Sequence, residues 1–210
     1  MSKNLLYLII LLIVIFLLFL NLPKTNHSND QIIYIPNFLS ESDYQMIKQS
    51  IQEDQRPFRI NWNNLQTKPL KDDIYHQLFY SPQSLSKVKQ YTGNKVQSSI
   101  IPLEYRIYSK HKGMDWHTDT LLYKEPQYEC VYTIENTSDS TTDYLNQKGQ
   151  LHSVRTEPNS LMLVKANGYM HRVKPVNRGK RSIIKLIYTT TQEVNPKNSL
   201  KFHQALHSLL

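Results

Sequence analysis

Cysteine is nearly absent: Cys130 is the only one among 210 residues. No disulfide can close within the chain, and no thiolate zinc centre can be built. Cys130 sits in the run Glu129-Cys130-Val131-Tyr132 and reads as a buried structural thiol. No block of five or more like charges occurs, which excludes a basic tail of the kind that binds nucleic acid. There is no internal repeat, and no low-complexity segment beyond the apolar N-terminus.

Formal net charge is +8. A basic surface suits acidic substrates, anionic membranes or nucleic acid, and by itself decides nothing about fold. The length suits one domain with a full core. Leu5 to Leu22 is apolar apart from Tyr7 and Asn21, long enough to cross a bilayer as a helix. Leu20-Asn21-Leu22-Pro23 lacks a small-residue cleavage pattern, so the segment reads as an uncleaved signal anchor. The expected organisation is a transmembrane anchor over 1–23, a tether over 24–31 and a domain over 32–210, with its β core at about 96–190. Lys3 and the amino terminus before the span favour a single-pass type II placement, with the domain lumenal or extracytosolic. Asn136-Thr137-Ser138 is a glycosylation sequon compatible with that placement.

Ile32-Ile33-Tyr34-Ile35 predicts a buried strand, broken by Pro36 and Asn37. Ser40 is a good N-cap with Asp43 three residues on, and Tyr44, Ile47 and Ile51 recur at helical spacing. A helix over 41–53 follows. Residues 58–62 alternate as a short strand would. Two more helices are expected near 71–80 and 82–91, the second capped by Ser81, opened by Pro82 and ended by Gly93. Strands are expected at 98–108, 127–135, 150–156, 160–165, 170–174 and 181–190, with 136–149 as a polar loop. Residues 197–210 suggest a terminal helix with Phe202, Leu206 and Leu209 on one face. Helices followed by many short strands predict an α+β domain, a helix-supported β-sandwich or barrel.

His117-Thr118-Asp119 carries the chemistry. Residues two apart in a strand project to one face, so this imidazole and carboxylate can share one metal ion. A lone H-x-D pair occurs easily by chance, and a third ligand must come from elsewhere. His171 is the best candidate. Two histidines and one carboxylate form the facial triad of non-haem iron(II) oxygenases, with positions left open for cosubstrate and dioxygen. After His171, the turn Asn177-Arg178-Gly179 leads to Arg181 at the start of the next strand. A hairpin of that length returns Arg181 to the metal, where a guanidinium grips the far carboxylate of a dicarboxylate. His152 is the competitor, but Met162 stands ten residues later and no Pro-Val or Gly turn follows it. His111 reads as loop or rim. His27, His76, His203 and His207 fall outside the β region.

These residues resemble the iron(II)- and 2-oxoglutarate-dependent dioxygenases, in particular the prolyl 4-hydroxylase branch. The resemblance spans about 32–190. It rests on Ile35-Pro36-Asn37-Phe38-Leu39-Ser40, on Tyr105-Arg106-Ile107-Tyr108 with Gly113, Trp116, His117 and Asp119, on Pro158-Asn159-Ser160-Leu161-Met162-Leu163, and on His171-x-Val173-x-Pro175-Val176-x-x-Gly179-x-Arg181. Arginine stands at 181 where many of these hydroxylases have lysine. The resemblance implies a double-stranded β-helix, or jelly roll, with Fe(2+) at its mouth and 2-oxoglutarate as cosubstrate. It implies His117, Asp119 and His171 as metal ligands and Arg181 as the cosubstrate anchor. Tyr108 and Tyr132 are implied pocket residues, with Thr133 a weaker candidate. It also implies dioxygen and a peptidyl prolyl substrate, with ascorbate keeping the iron reduced, and an oxidative decarboxylation that yields succinate and a hydroxylated C–H bond. The chain departs from the family at Asp139-Ser140-Thr141-Thr142-Asp143-Tyr144, where many members carry Gly-Gly-x-Thr.

Other readings stay open. A non-catalytic β-helix module would bind ligand or partner through the same cup, and an oxygenase of a non-protein substrate would keep the same metal ligands. Nucleic-acid demethylases of this class carry a second arginine where Ile187 stands, which argues against a nucleic-acid substrate.

Overall fold

The computed structural model describes residues 31–61 and 63–207. Twelve strands among them form two antiparallel sheets. They are β1 (Ile32–Ile35), β2 (Arg59–Ile60), β3 (Gln66–Leu70), β4 (Gln97–Ser98), β5 (Leu103–Tyr108), β6 (Met114–His117), β7 (Tyr128–Asn136), β8 (Thr142–Leu145), β9 (Leu151–Val154), β10 (Ser160–Lys165), β11 (His171–Val173) and β12 (Arg181–Thr189). The larger sheet runs β1-β10-β7-β12-β5-β3-β2, with β4 attached to β12. The smaller runs β6-β11-β8-β9. Side chains from both sheets meet between them: Tyr108 and Ile183 pack with Val173, while Met162 and Val164 pack with Tyr144 and Val154. This is the jelly-roll architecture. The larger sheet also recruits β1, β2 and β3, so its core begins well before the expected position 96.

Four α-helices among the described residues support it: α1 (Glu41–Glu53), α2 (Asp73–Phe79), α3 (Pro82–Thr92) and α4 (Ser199–His207). Helix α1 begins where a side chain satisfies its first free amides, Ser40 Oγ accepting from the Asp43 N–H at 3.1 Å. Its buried residues Tyr44, Ile47 and Ile51 face the outer side of the larger sheet. Ser81 caps α3 in the same way, and Gly93 ends it in the left-handed conformation at φ 72°. Tyr75 and Phe79 of α2 and Val88 of α3 complete this core against Leu103, Tyr132, Leu161, Ile184 and Tyr188. Phe202 of α4 packs separately on Tyr123 and Ile187.

Several expectations change. The run at 98–108 is two strands with a break, and only Arg59–Ile60 of the expected 58–62 strand pairs. Trp62 and Leu209 lie outside the described residues. Strand β3 was not expected; it contains Lys68 and Pro69, which mask its pattern. Strand β8 lies inside the expected polar loop 136–149. Asp143 on β8 is held by both Arg172 and Ser153, so polar pairing rather than an apolar face stabilises it. Asn136 is buried and its side-chain amide donates to Thr156 O at 2.9 Å, which closes the sequon to a glycan.

The membrane-anchored, lumenal placement is corrected. No helix among the described residues is long and apolar enough to cross a membrane. The longest, α1, has 13 residues, a length of about 20 Å against a hydrocarbon core of about 30 Å. The apolar stretch 5–22 and the tether 24–30 lie outside the described residues.

Candidate metal centre

Pairing of β6 with β11 sets His117 directly opposite His171, with ring centroids 4.3 Å apart. Asp119 follows just beyond the end of β6. Its carboxylate oxygens lie 3.8 Å from His117 Nε2 and 3.5 Å from His171 Nε2. One donor atom from each of the three residues lies within 4.8 Å of the others. The backbone sets the imidazole tautomers. His117 Nδ1 lies 2.7 Å from Asp115 O, and His171 Nδ1 lies 3.0 Å from Tyr169 O. A carbonyl only accepts, so each Nδ1 carries the proton and each Nε2 offers its lone pair to the shared space. Asp119 is held from behind, its carbonyl accepting from the Asn167 N–H at 2.9 Å.

Electrostatics favour a cation here. Burial, with Glu129 nearby, pushes the Asp119 carboxyl above its ordinary range. Burial also holds the His171 imidazole below its ordinary pKa, against the pull of Asp119. A neutral imidazole and a buried carboxylate facing another carboxylate are what a divalent ion relieves.

Arg181 follows the hairpin turn onto β12. Gly179 turns the chain at φ 73°, where a Cβ would meet the Thr137 carbonyl. Arg181 then pairs with Tyr108 of β5. Its guanidinium is 1% exposed, stacks over the Tyr108 ring at 5.7 Å and donates to Thr142 Oγ1 at 3.1 Å. Nε and Nη1 have no hydrogen-bond partner. Burial pushes its pKa down. A buried guanidinium with two free N–H donors is costly unless an anion completes it. A cavity of about 60 Å³ lies between the sheets, bounded by the triad, Tyr108, Met114, Thr142 and Val173. Arg181 stands one residue behind that wall, against Tyr108 and Thr142.

Tyr108 is on this wall, its hydroxyl 3.3 Å from Met114 Sδ. Tyr132 is not, and its expected pocket role is corrected. It projects to the opposite face of β7, edge-on to Phe79 at 4.9 Å, and its hydroxyl donates to Asn159 Oδ1 at 2.8 Å. Thr133 faces inward but is not on the cavity wall, and its hydroxyl has no partner. His152 stacks on Tyr144 at 5.1 Å, away from the triad, and His111 occupies a turn at φ 66°. His76 lies on α2, and His203 and His207 on α4, while His27 is outside the described residues.

Sequence reasoning missed four wall residues. Thr142 fell within the presumed loop. Arg106, Glu129 and Lys185 line the cavity beside Asp119, with Lys185 Nζ 3.0 Å from Glu129 Oε2 and Arg106 Nη2 2.7 Å from Glu104 Oε2. Burial is the largest single effect on Lys185 and opposes its charge, but Glu129 and Asp119 together outweigh it, and the pKa lies above the ordinary value. The signal was present: charged residues at alternate positions of otherwise apolar strands mark the face that does not enter the main core.

Comparison with known proteins adds the following. A family model described as Halogenase D matches residues 61–208. No curated protein matches the chain. Solved structures match at low identity. A 2OG-Fe(II) oxygenase family oxidoreductase from Burkholderia pseudomallei aligns at TM-score 0.65 and 10% identity, over 79% of this chain and 87% of that one. A prolyl hydroxylase from Trichoplax adhaerens, in complex with a hypoxia inducible factor peptide fragment, aligns at 0.60 and 14% identity, over 77% and 84%. HygX from Streptomyces hygroscopicus, with nickel and 2-oxoglutarate bound, aligns at 0.58 and 10% identity, over 77% and 83%. At these identities the likeness is one of fold.

Proposed function

This chain belongs to the Halogenase D family, and from that premise we propose that it is an iron(II)- and 2-oxoglutarate-dependent oxygenase that hydroxylates an unactivated C–H bond. The observation that carries the reading is the pairing of a His117-Asp119-His171 donor set with the buried, under-partnered guanidinium of Arg181. The donor set suits iron(II), and Arg181 suits the far carboxylate of a dicarboxylate. When bound, iron with 2-oxoglutarate and dioxygen supplies the oxidising chemistry, the cosubstrate leaving as succinate and carbon dioxide. The protein's own residues bind and orient. His117 and His171 present Nε2 because backbone carbonyls hold their Nδ1 protons. Tyr108 and Thr142 hold the Arg181 guanidinium just behind the cavity wall. Met114, Val173 and Ile183 give that wall apolar surface, which disfavours water.

The family's name raises halogen transfer as a second reading. That reaction needs a coordination position for a halide. His117, Asp119 and His171 would give such an ion three protein donors, and the Asp119 carboxylate would stand where a halide would need to bind. Hydroxylation is therefore preferred. A peptidyl prolyl substrate is the finer reading. It is supported by the Tyr105–Asp119 and His171–Arg181 motifs and by prolyl hydroxylases among proteins of similar fold.

The test is an anaerobic addition of iron(II) and 2-oxoglutarate, read by visible absorption. A metal-to-ligand charge-transfer band is expected in the wild type, and its loss in His171→Ala and Arg181→Ala. With air and proline-containing peptides, succinate release coupled to one added oxygen is expected. A folded protein with no such band overturns the oxygenase reading, and coupled turnover on a non-peptide alone overturns the prolyl reading.

A further inference from the structure

Between β6 and β7 the chain runs as the loop 118–127, and Asp119 is its second residue. Its last residue, Gln127, is fully buried. The Gln127 carboxamide makes three bonds. Nε2 donates to Thr120 O at 2.8 Å and to Glu129 Oε1 at 3.1 Å, and Oε1 accepts from the Leu122 N–H at 3.2 Å. Two of these bonds grip the loop one and three residues past Asp119. The third ties the grip to β7 through Glu129, whose other oxygen faces Lys185 at 3.0 Å. An amide alone satisfies this set, because it donates twice and accepts once from one planar group. A carboxylate cannot donate, and a thioether of the same length cannot donate and accepts only weakly.

Leu121 and Leu122, in the same stretch, are also fastened to the C-terminal segment. Leu121 O accepts from Asn198 Nδ2 at 2.9 Å and from Asn195 Nδ2 at 3.2 Å, and Leu122 O accepts from the Asn195 N–H at 2.9 Å. Tyr123 is buried with its hydroxyl 2.6 Å from Ser99 Oγ. Removing the Gln127 amide therefore frees Thr120, the residue next to Asp119, while Leu121 and Leu122 stay attached through their carbonyls.

We infer that Gln127 is a positioning residue for the metal ligand Asp119, holding the peptide after it so that the carboxylate meets His117 and His171. This rests on the reading of the triad as a metal centre. Outer partners of metal ligands typically change affinity by about 10–100-fold when removed.

The experiment is titration of the full chain with cobalt(II), followed by its visible ligand-field absorption, for wild type, Gln127→Met, Gln127→Glu and Asn198→Ala. Gln127→Met is expected to weaken cobalt(II) binding by about 10–100-fold and to alter the band shape. Asn198→Ala, which loses one of the two bonds at Leu121 O and none at Thr120, is expected to bind as wild type does. Equal affinity in Gln127→Met and wild type overturns the inference, as does an equal loss in Asn198→Ala. If Gln127→Met does not fold by circular dichroism, Gln127→Glu decides by the same criterion. If neither folds, the residue is structural and the inference is overturned. A wild type that binds cobalt(II) but shows no spectral response to 2-oxoglutarate defeats the oxygenase reading and leaves Gln127 its role. A wild type that binds no cobalt(II) defeats the metal centre and this inference together.

Discussion

Strands β7 and β12 send alternate residues into two different environments. Towards the helices they present Tyr128, Cys130, Tyr132, Ile184, Leu186 and Tyr188, which pack against Ile47, Phe79 and Val88. Towards the smaller sheet they present Glu129, Val131, Ile183 and Lys185 on the cavity wall, with Arg181 behind it. The first face is largely apolar, and its tyrosine hydroxyls are satisfied: Tyr188 donates to Phe79 O at 2.6 Å and Tyr132 to Asn159 at 2.8 Å. The second holds charge and leaves Arg181 Nε and Nη1 and Thr133 Oγ1 unpartnered, as is Arg106 Nε on the neighbouring β5. The difference separates two tasks. One face stabilises the sheet, and the other accepts a cost in burial to hold charged groups beside the cavity, as the proposed site requires.

Changes confined to one face sharpen this contrast. The largest effect is expected on the inner face. His171→Ala should lower iron(II) affinity by more than the roughly 100-fold upper figure for an outer partner. It should leave the melting temperature of the metal-free protein nearly unchanged, as metal titration beside calorimetry would show. Phe79→Ala should do the reverse. It empties a fully buried site against Phe38 and Tyr132, at about 3–5 kcal/mol. At a temperature where the variant is folded, its metal affinity should match wild type.

The helix side has its own ion pair, and acid tests it. Asp54 is gripped by Arg56 at 2.8 Å and faces buried Lys68 at 3.1 Å. The Arg56 hydrogen bond, then those of its backbone N–H and Lys68, hold the Asp54 carboxyl well below its usual range despite burial. A depressed folded pKa stabilises above the unfolded value of about 4 and is lost as pH falls through the folded one. Urea melts should therefore lose roughly 2–3 kcal/mol below pH 4, and Asp54→Asn should flatten that part of the profile. The smallest effect is expected at the inner pair. Lys185→Met strands Glu129, but a third of the Lys185 side chain is open to solvent. A cost of about 1–2 kcal/mol follows, below that of a sealed pair. Adding Glu129→Gln should recover most of it. A double variant no more stable than the single one would break the account of these charges as one pair.

Some of this was readable from residues alone because it is local. Helix α1 is bounded as expected, since Ser40, Asp43 and the 3.6-residue spacing of Tyr44, Ile47 and Ile51 act within a few turns. The faces of β12 were readable from strict alternation. Strand β8 was hidden because its stability comes from Arg172 on another strand. Tyr132 was placed on the wrong face because β7 is buried on both sides, with a register shift opposite Ser182 and Ile183, and such a strand shows no phase.

By itself the sequence determined the kinds of donor available: two imidazoles and a carboxylate at H-x-D…H spacing, and a cation one hairpin beyond. Those are covalent facts, and their chemistry travels with them. Only the tertiary structure decided that His117 stands opposite His171, that Arg181 is sealed with two free N–H groups, and that Gln127 grips the peptide after Asp119. Each depends on pairing between segments far apart in the chain, and strand register is set by the packing of whole faces rather than by any local signal.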